Sequence, residues 1–264
     1  MLNEIIATLK IIESQHQCTV LFACESGSRA WGFASPDSDF DVRFIYVNPL
    51  EWYLKLEDKA DTINKMLPND LDLCGWDLQK ALRLFAKCNI CLNEWLNSPC
   101  IYYQDNDFYQ KLKALIPLYF NPKKAVYHYL STVNKTVKDH LQTTAINIKK
   151  LFYILRPLLA CIWIINKKSM PPTMFKEVLF QVEEYLPSEI IKFIHLLLAE
   201  KSISSEKHTV IIPQEIIEWI HEQASSLTAL ANKLPAVNNP DWDPLNALNN
   251  ELICIYLNKG KHGG

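Results

Sequence analysis

Glycine is almost absent from this chain, and its few positions constrain the fold more than any other feature of the sequence. Of the six glycines in 264 residues, only Gly27, Gly32 and Gly75 occur in the first 259. Glycine tolerates left-handed backbone and close backbone contacts, so two glycines five residues apart indicate unusual backbone between them. Two of the four arginines, Arg29 and Arg43, lie in or beside the same segment. We therefore expect the functional site there.

Composition excludes several classes of protein. Hydrophobic residues make up 49% and charged residues 21% of the chain, which is typical of a globular protein, and the net charge is −2. A grip on nucleic acid by bulk positive charge is therefore excluded, and any such contact must use a local patch. The longest apolar stretch, around 158–165, is too short to span a membrane. Eight cysteines without a secretory signal predict free thiols in the cytoplasm, and nothing in the sequence indicates the oligomeric state.

The first ninety residues mix helical and strand patterns. Period-two alternation, buried apolar runs and Asp77 as a helix N-cap predict these elements. In chain order they are a helix over 3–14, a strand over 18–25, a short helix over 28–34, a turn over 35–37, a strand over 39–47, a helix over 49–66, a strand over 69–75 and a helix over 78–88.

The pattern changes after this region. Nearly everything from 90 to 258 has helical periodicity, interrupted by prolines. The sequence therefore predicts an α+β fold in two domains: a small sheet with flanking helices over 1–90, followed by an α-helical domain over 91–264.

Acidic residues follow two of the predicted strands. Asp39 and Asp41 are two residues apart, so a strand directs both side chains to one face. Neighbouring carboxylates repel each other, and a hard divalent cation relieves the repulsion. Asp72 can supply a third oxygen ligand if its strand lies beside theirs. The three acids predict a site for two Mg²⁺ ions, with Mn²⁺ as an alternative, of the kind that catalyses phosphoryl transfer.

Gly27 and Ser28 predict the other half of such a site. They follow a strand and precede a helical turn, where backbone N–H groups and a hydroxyl can bind a phosphate. A phosphate-binding bend beside metal-binding carboxylates indicates a nucleoside triphosphate as substrate. Arg29 or Arg43 could neutralise charge on the leaving pyrophosphate, and Arg43 has the same strand parity as the two acids.

Three further side chains are candidates for nucleotide binding. Lys80 lies with Arg83 and Lys87 along one side of the helix over 78–88. These cations could face the triphosphate or an RNA backbone, although such a face is often only solvated. Tyr153 and Arg156 share a face of an otherwise apolar helix, which is typical of a polar cleft. In that cleft Tyr153 could stack on a base and Arg156 could contact a phosphate, unless Arg156 pairs with an internal acid.

The order of these motifs resembles the nucleotidyltransferase superfamily typified by DNA polymerase β, in which a glycine-serine pair precedes an Asp-x-Asp motif and a third Asp. The likeness is closest to the YcgL/RlaP family of predicted nucleotidyltransferases, which genomic context links to RNA repair. It spans roughly residues 18–180, and the segments that carry it are GSRAWGFASPDSDFDVRFIYV, DLCGWDLQKALRLFAKCN, LNEWLNSP, LFYILRPLLACIWI and PPTMF.

The resemblance implies a polymerase-β-like sheet and a transferase that moves a nucleoside monophosphate from an NTP to a hydroxyl. It assigns Gly27 and Ser28 to the triphosphate, Asp39 and Asp41 to the metal, and Asp72 to the third acid, although Asp70 on the same predicted face could replace it. The acceptor stays open between an RNA end, a protein and a small molecule. Alternatives are an antitoxin-like enzyme that modifies a protein and a nucleotide sensor without catalysis.

Overall fold

The protein has an α+β fold built around one five-stranded sheet. The computed structural model describes residues 1–35, 37–67, 70–203, 208–235 and 239–259. The strands are β1 (Thr19–Glu25), β2 (Phe40–Val47), β3 (Thr62–Leu67), β4 (Leu71–Asp77), β5 (Ile101–Gln104), β6 (Ala145–Asn147) and β7 (Thr209–Ile211). The helices are α1 (Leu2–His16), α2 (Gly27–Trp31), α3 (Leu50–Leu54), α4 (Leu78–Ala86), α5 (Ile90–Leu96), α6 (Asn106–Ala114), α7 (Ile116–Tyr119), α8 (Pro122–His140), α9 (Ile148–Lys167), α10 (Phe175–Val182), α11 (Ser188–Ile203), α12 (Gln214–Asn232) and α13 (Asp243–Lys259).

Contacts divide the chain into two compact units. The sheet unit contains residues 1–30, 39–119 and the described residues from 239 onward. The helical unit contains residues 31–38 and the described residues of 120–238. The segment over 91–119 and the helix α13, which we expected in the second domain, thus group with the sheet. One reason is that β5 pairs with β1, and another is that Trp95 of α5 packs on Trp76 of β4 with ring centroids 4.1 Å apart.

In the sheet unit the strand order is β3-β4-β2-β1-β5. Strands β2 and β4 run parallel, and the other neighbours pair antiparallel. One face of the sheet is covered by α1, whose apolar side chains at helical spacing, among them Ile5 and Leu9, join Phe44 and Leu73 in the core. Gly75 makes this packing possible, because a Cβ at that position would overlap the ring of Phe44 on the neighbouring strand.

In the helical unit, α9 is the central helix. It packs against α8, α10 and α12, and most of its side chains are buried. Phe33, from the short segment between the two predicted motifs, stacks on Phe152 of α9 with centroids 4.6 Å apart and meets Phe175 of α10 edge to face. Strands β6 and β7 form a separate two-stranded sheet.

The structure confirms most of the predicted elements and corrects others. The expected helices over 3–14 and 78–88 and the strands over 18–25 and 39–47 are present with small shifts at their ends. The helix over 49–66 is wrong beyond Leu54, because Thr62–Leu67 forms an edge strand paired with β4. The expected turn over 35–37 includes Pro36, and the expected strand over 69–75 begins at Asn69. Both of these residues lie outside the described part of the chain.

Two general expectations can be compared with the structure. All eight cysteines are free thiols. Within the described ranges, every helix is too short or too polar to cross a membrane.

Candidate active site

Two acids face each other across the parallel pair β2 and β4. Asp41 is the register partner of Asp72, and both side chains are partly exposed. One nitrogen of Arg43, Nη2, donates to Asp41 Oδ1 at 2.8 Å and to Asp72 Oδ2 at 2.9 Å. The same guanidinium donates through Nη1 to the backbone oxygen of Asp72 at 3.2 Å. The two carboxylates therefore share a single positive nitrogen.

The glycine bend lies directly against this pair. Gly27 has a left-handed φ of +62°, and a Cβ there would overlap the carboxylate of Asp41. The backbone N–H of Ser26 donates to the backbone oxygen of Asp41 at 2.8 Å. Ser28 follows as the second residue of α2 and is buried. Glycine is required here for both its φ and its lack of a side chain.

Glu25 could not be selected from sequence spacing, but it lies beside Asp41 and supports it. We call the group of Gly27, Asp41, Arg43 and Asp72, together with Glu25, the sheet corner. Glu25 ends β1 and is only 2% exposed. Its carboxylate accepts from the backbone N–H of Asp41 at 2.8 Å and from the hydroxyl of Tyr102. Burial raises the pKa of Glu25 despite these two donors. An acid that ends an otherwise apolar strand was the available signal.

Arg29 and Asp39 occupy the entry to β2. Asp39 is exposed and lies just before the strand. The Nε of Arg29 donates to the backbone oxygen of Asp39 at 3.0 Å, and its guanidinium lies 3.7 Å from the ring centroid of Phe40. Of the two candidate arginines, Arg43 thus contacts the carboxylates, whereas Arg29 holds the backbone beside them.

Asp70, the alternative third acid, lies outside β4. Its φ is +53° in the turn before the strand, and its backbone oxygen accepts from the N–H of Phe40 at 2.9 Å. The expectation that Asp70 shares the strand face of Asp72 is therefore wrong, because the period-two pattern begins only at Leu71.

Comparison with known proteins now identifies the family. The family model described as "RNA repair pathway DNA polymerase beta family", RlaP, matches residues 1–251. The chain belongs to the RlaP family. A relative from Bacillus subtilis (strain 168), "Uncharacterized protein YcgL", is 41% identical over 234 residues, which cover 87% of this chain and 90% of that protein. The crystal structure of a nucleotidyltransferase-like protein from Exiguobacterium sibiricum 255-15 aligns over 95% of this chain and 90% of that chain, with 13% identity and a TM-score of 0.32.

Lys80 of this RlaP-family chain is engaged in an ion pair. Its Nζ lies 2.8 Å from Asp61 Oδ1, and it holds the pKa of Asp61 below its ordinary value. The helix that carries Lys80 is capped by Asp77, whose carboxylate accepts from the N–H of Gln79 at 2.9 Å, as predicted. A role of Lys80 in nucleotide binding stays a prediction.

Tyr153 and Arg156 both contact Trp31 inside the helical unit. The ring of Tyr153 meets Trp31 edge to face, with centroids 5.0 Å apart. Arg156 is 1% exposed, lies 4.5 Å from the Trp31 ring centroid, and donates through Nη2 to the backbone oxygen of Thr173 at 3.2 Å. Their nucleotide-binding roles also stay predictions, and burial restricts access to Arg156.

Two residues between Ser28 and Asp39 are held by residues distant in sequence. Gly32 has a φ of +80° and faces Met174, while Lys201 of α11 is buried and donates to the hydroxyl of Ser35. Lys201 could not be selected from the sequence, because a helical lysine is usually solvated. Gly32 and Ser35 thus contact residues of the helical unit.

The donor chemistry of the sheet corner fits a hard divalent cation. Asp41 and Asp72 are partly exposed oxygen donors that share one positive group. In the described residues, no group of three or more His, Cys, Asp or Glu side chains is arranged to hold a metal ion. A metal site would therefore require Asp39 to join the pair and the contacts of Arg43 to loosen.

Proposed function

We propose that this protein transfers a nucleoside monophosphate from an NTP to a hydroxyl acceptor and releases pyrophosphate. One observation carries the proposal: Asp41 and Asp72 face each other on parallel strands, with the Gly27 bend packed against Asp41. Carboxylates beside a phosphate-binding bend are what phosphoryl transfer requires. Membership of a family described as polymerase-β-like supports the same chemistry.

Each residue then has a defined task. Asp39, Asp41 and Asp72 would hold Mg²⁺ or Mn²⁺, which when bound neutralises phosphate charge and favours ionisation of the acceptor hydroxyl. Gly27 and Ser28 would bind the β- and γ-phosphates through backbone N–H groups. Asp72 would accept the proton of the acceptor hydroxyl as its oxygen bonds to the α-phosphorus. The bond from the α-phosphorus to the pyrophosphate oxygen breaks in the same step.

The other side chains around the sheet corner would stabilise the leaving group or hold the metal-binding acids in place. Arg43 would release part of its double contact and turn toward the leaving pyrophosphate, where a guanidinium stabilises developing negative charge. Glu25 and Tyr102 would keep the backbone of Asp41 in place. Arg29 would do the same for Asp39.

The acceptor we favour is an RNA end, because the family description names an RNA repair pathway. Eight free cysteines support a cytoplasmic location for such an enzyme. A protein hydroxyl is an outcome that the same experiment distinguishes.

The test is transfer of label from an α-³²P-labelled NTP, with pyrophosphate measured in parallel. Each reaction contains Mg²⁺ and one acceptor: RNA with a free 3′ hydroxyl, transfer RNA, or a protein mixture. We expect label on RNA in the wild type and a loss of at least about 10³-fold in Asp39→Asn and Asp41→Asn, because each removes a charge that would hold the metal. Thermal melting should show that both variants fold. Binding of the NTP without pyrophosphate release would indicate a sensor, and label on protein alone would indicate a protein-modifying enzyme.

A further inference from the structure

A cavity lies on the sheet unit, between α4 and α13. Its volume is about 340 Å³, which lies within the usual range for a small-molecule site. Leu82 and Leu245 are buried and form its apolar floor, while Arg83, Lys87, Trp242 and Asn246 line it with more polar groups. None of the residues assigned to nucleotidyl transfer lines this cavity.

The charge of the cavity favours an anion. Arg83, on α4, and Lys87, the residue directly after the helix, both line the cavity, and both are exposed. Across the described residues, neither forms an ion pair with an acid. Arg83 instead donates to the side chain of Gln79 at 3.1 Å. Asp241 and Asp243 flank Trp242 in sequence but do not line the cavity.

The aromatic group of the cavity is unusually accessible. Trp242 is 41% exposed although it precedes a helix that packs against α4. An exposed indole can stack on a nucleobase, because every base presents a π-face. Amide side chains can then bind the polar edge of the base. Asn246 and Asn249 both line the cavity and supply such amide groups.

We propose that this cavity binds a nucleoside phosphate, with its base stacked on Trp242 and its phosphate between Arg83 and Lys87. The proposal does not rest on the transfer reaction, because the cavity shares no residue with the carboxylate corner. The nucleotide has two chemical sources, namely a free mononucleotide and a nucleotide of single-stranded RNA.

The experiment measures binding of the full chain to a fluorescent single-stranded RNA of about ten nucleotides and to AMP and ATP, all in EDTA. A strand should bind with a dissociation constant that rises with salt, because its phosphates release counterions. If mononucleotides bind as tightly as the strand, the ligand is the free nucleotide. If they compete only at much higher concentration, it is RNA.

Three variants test the assigned contacts. Trp242→Ala should weaken binding about 10-fold or more without changing the salt dependence, and Trp242→Phe should restore most of it. Arg83→Gln and Lys87→Gln should each lower the slope of log K against log salt by about one for the RNA strand. The control Lys55→Gln removes an exposed charge of the same unit outside the cavity and should leave binding unchanged.

The outcome that overturns the proposal is equally direct. The cavity is not a nucleotide site if neither ligand binds, or if Trp242→Ala and the two charge variants bind as the wild type does. Asp41→Asn separates the two proposals. If Asp41→Asn loses nucleotidyl transfer but binds RNA normally, both proposals are supported. If the wild-type protein binds RNA but never transfers label, only the proposed function is refuted.

Discussion

Arg43 and Arg156 place the same guanidinium group in opposite surroundings. Arg43 has a side chain that is 17% exposed, and it shares one nitrogen between the carboxylates of Asp41 and Asp72. Arg156 is buried, lies over the ring of Trp31, and donates to a backbone carbonyl. Under the proposed function, a divalent cation would take the place of Arg43 between its two acids. Arg156 is buried, so no solvent cation can replace its contacts with Trp31 and Thr173. We therefore expect Arg156 to act mainly in stabilising the fold.

Loss of Arg156 should have the largest effect on stability. Arg156→Ala leaves a cavity beside Trp31 and removes the donor to the Thr173 carbonyl, so we expect the free energy of unfolding to fall by about 3–5 kcal/mol. Arg43→Gln should cost about 1 kcal/mol, because the two partly exposed acids are hydrated. Urea denaturation compares the two variants. Equal losses would remove the distinction between the arginines.

A methyl group at Gly27 should have the next largest effect. Gly27→Ala forces alanine into a φ of +62° and against the Asp41 carboxylate, so we expect a stability loss of about 1–2 kcal/mol and an activity loss of about 10²-fold. Gly32→Ala is the matched control in the helical unit. Its φ is also positive, but its Cβ would meet only the flexible end of Met174 at 3.3 Å. It should lose similar stability and keep most activity; an equal loss of activity would show that the Asp41 contact is unimportant.

The buried acid of the sheet corner should give a smaller, pH-dependent effect. Because burial raises the pKa of Glu25 above its ordinary 4.5, the folded state binds the proton more tightly than the unfolded state. The free energy of unfolding should therefore be highest below pH 4.5 for this group and decline as pH rises through the raised pKa. Glu25→Gln should remove part of that decline, and Asp77, whose pKa burial also raises, should account for some of the remainder. A pH dependence identical to that of the wild type would contradict the burial of an ionisable Glu25.

The partly exposed pair of Lys80 and Asp61 should give the smallest effect, and its pH dependence should have the opposite sign. Lys80 lowers the pKa of Asp61 below its ordinary 3.8, so the pair stabilises the fold above that pH and the contribution disappears as pH falls through the lowered pKa. Lys80→Gln should cost no more than about 1 kcal/mol at pH 7. If Lys80 also binds nucleotide, the same variant raises the KM for the NTP. An unchanged KM would limit Lys80 to the ion pair.

Local signals predicted the elements that carry the acids, and long-range contacts explain the errors. An apolar run ended by Ser26 and Gly27 was sufficient for β1, and alternation was sufficient for most of β4. Strands β3 and β5 were missed because each lies at an edge of the sheet, where its pairing comes from another strand.

Long-range contacts also limited what the sequence could predict about the candidate site. Spacing and resemblance selected Gly27, Asp41, Arg43 and Asp72, which the structure brings together. Spacing alone could not select Tyr102, because its contact with the site spans 77 residues of sequence. The contact between Lys201 and Ser35 spans 166 residues and was missed for the same reason.

Transfer of labelled nucleotide by Asp72→Asn and Asp70→Asn tests most directly whether the acids across β2 and β4 form the catalytic centre. Both variants remove one carboxylate from neighbouring positions of the chain, but only Asp72 faces Asp41 and shares Arg43 with it. We expect Asp72→Asn to lose at least about 10³-fold in rate and Asp70→Asn to retain wild-type turnover. Full turnover in Asp72→Asn, or an equal loss in both variants, would contradict the assignment.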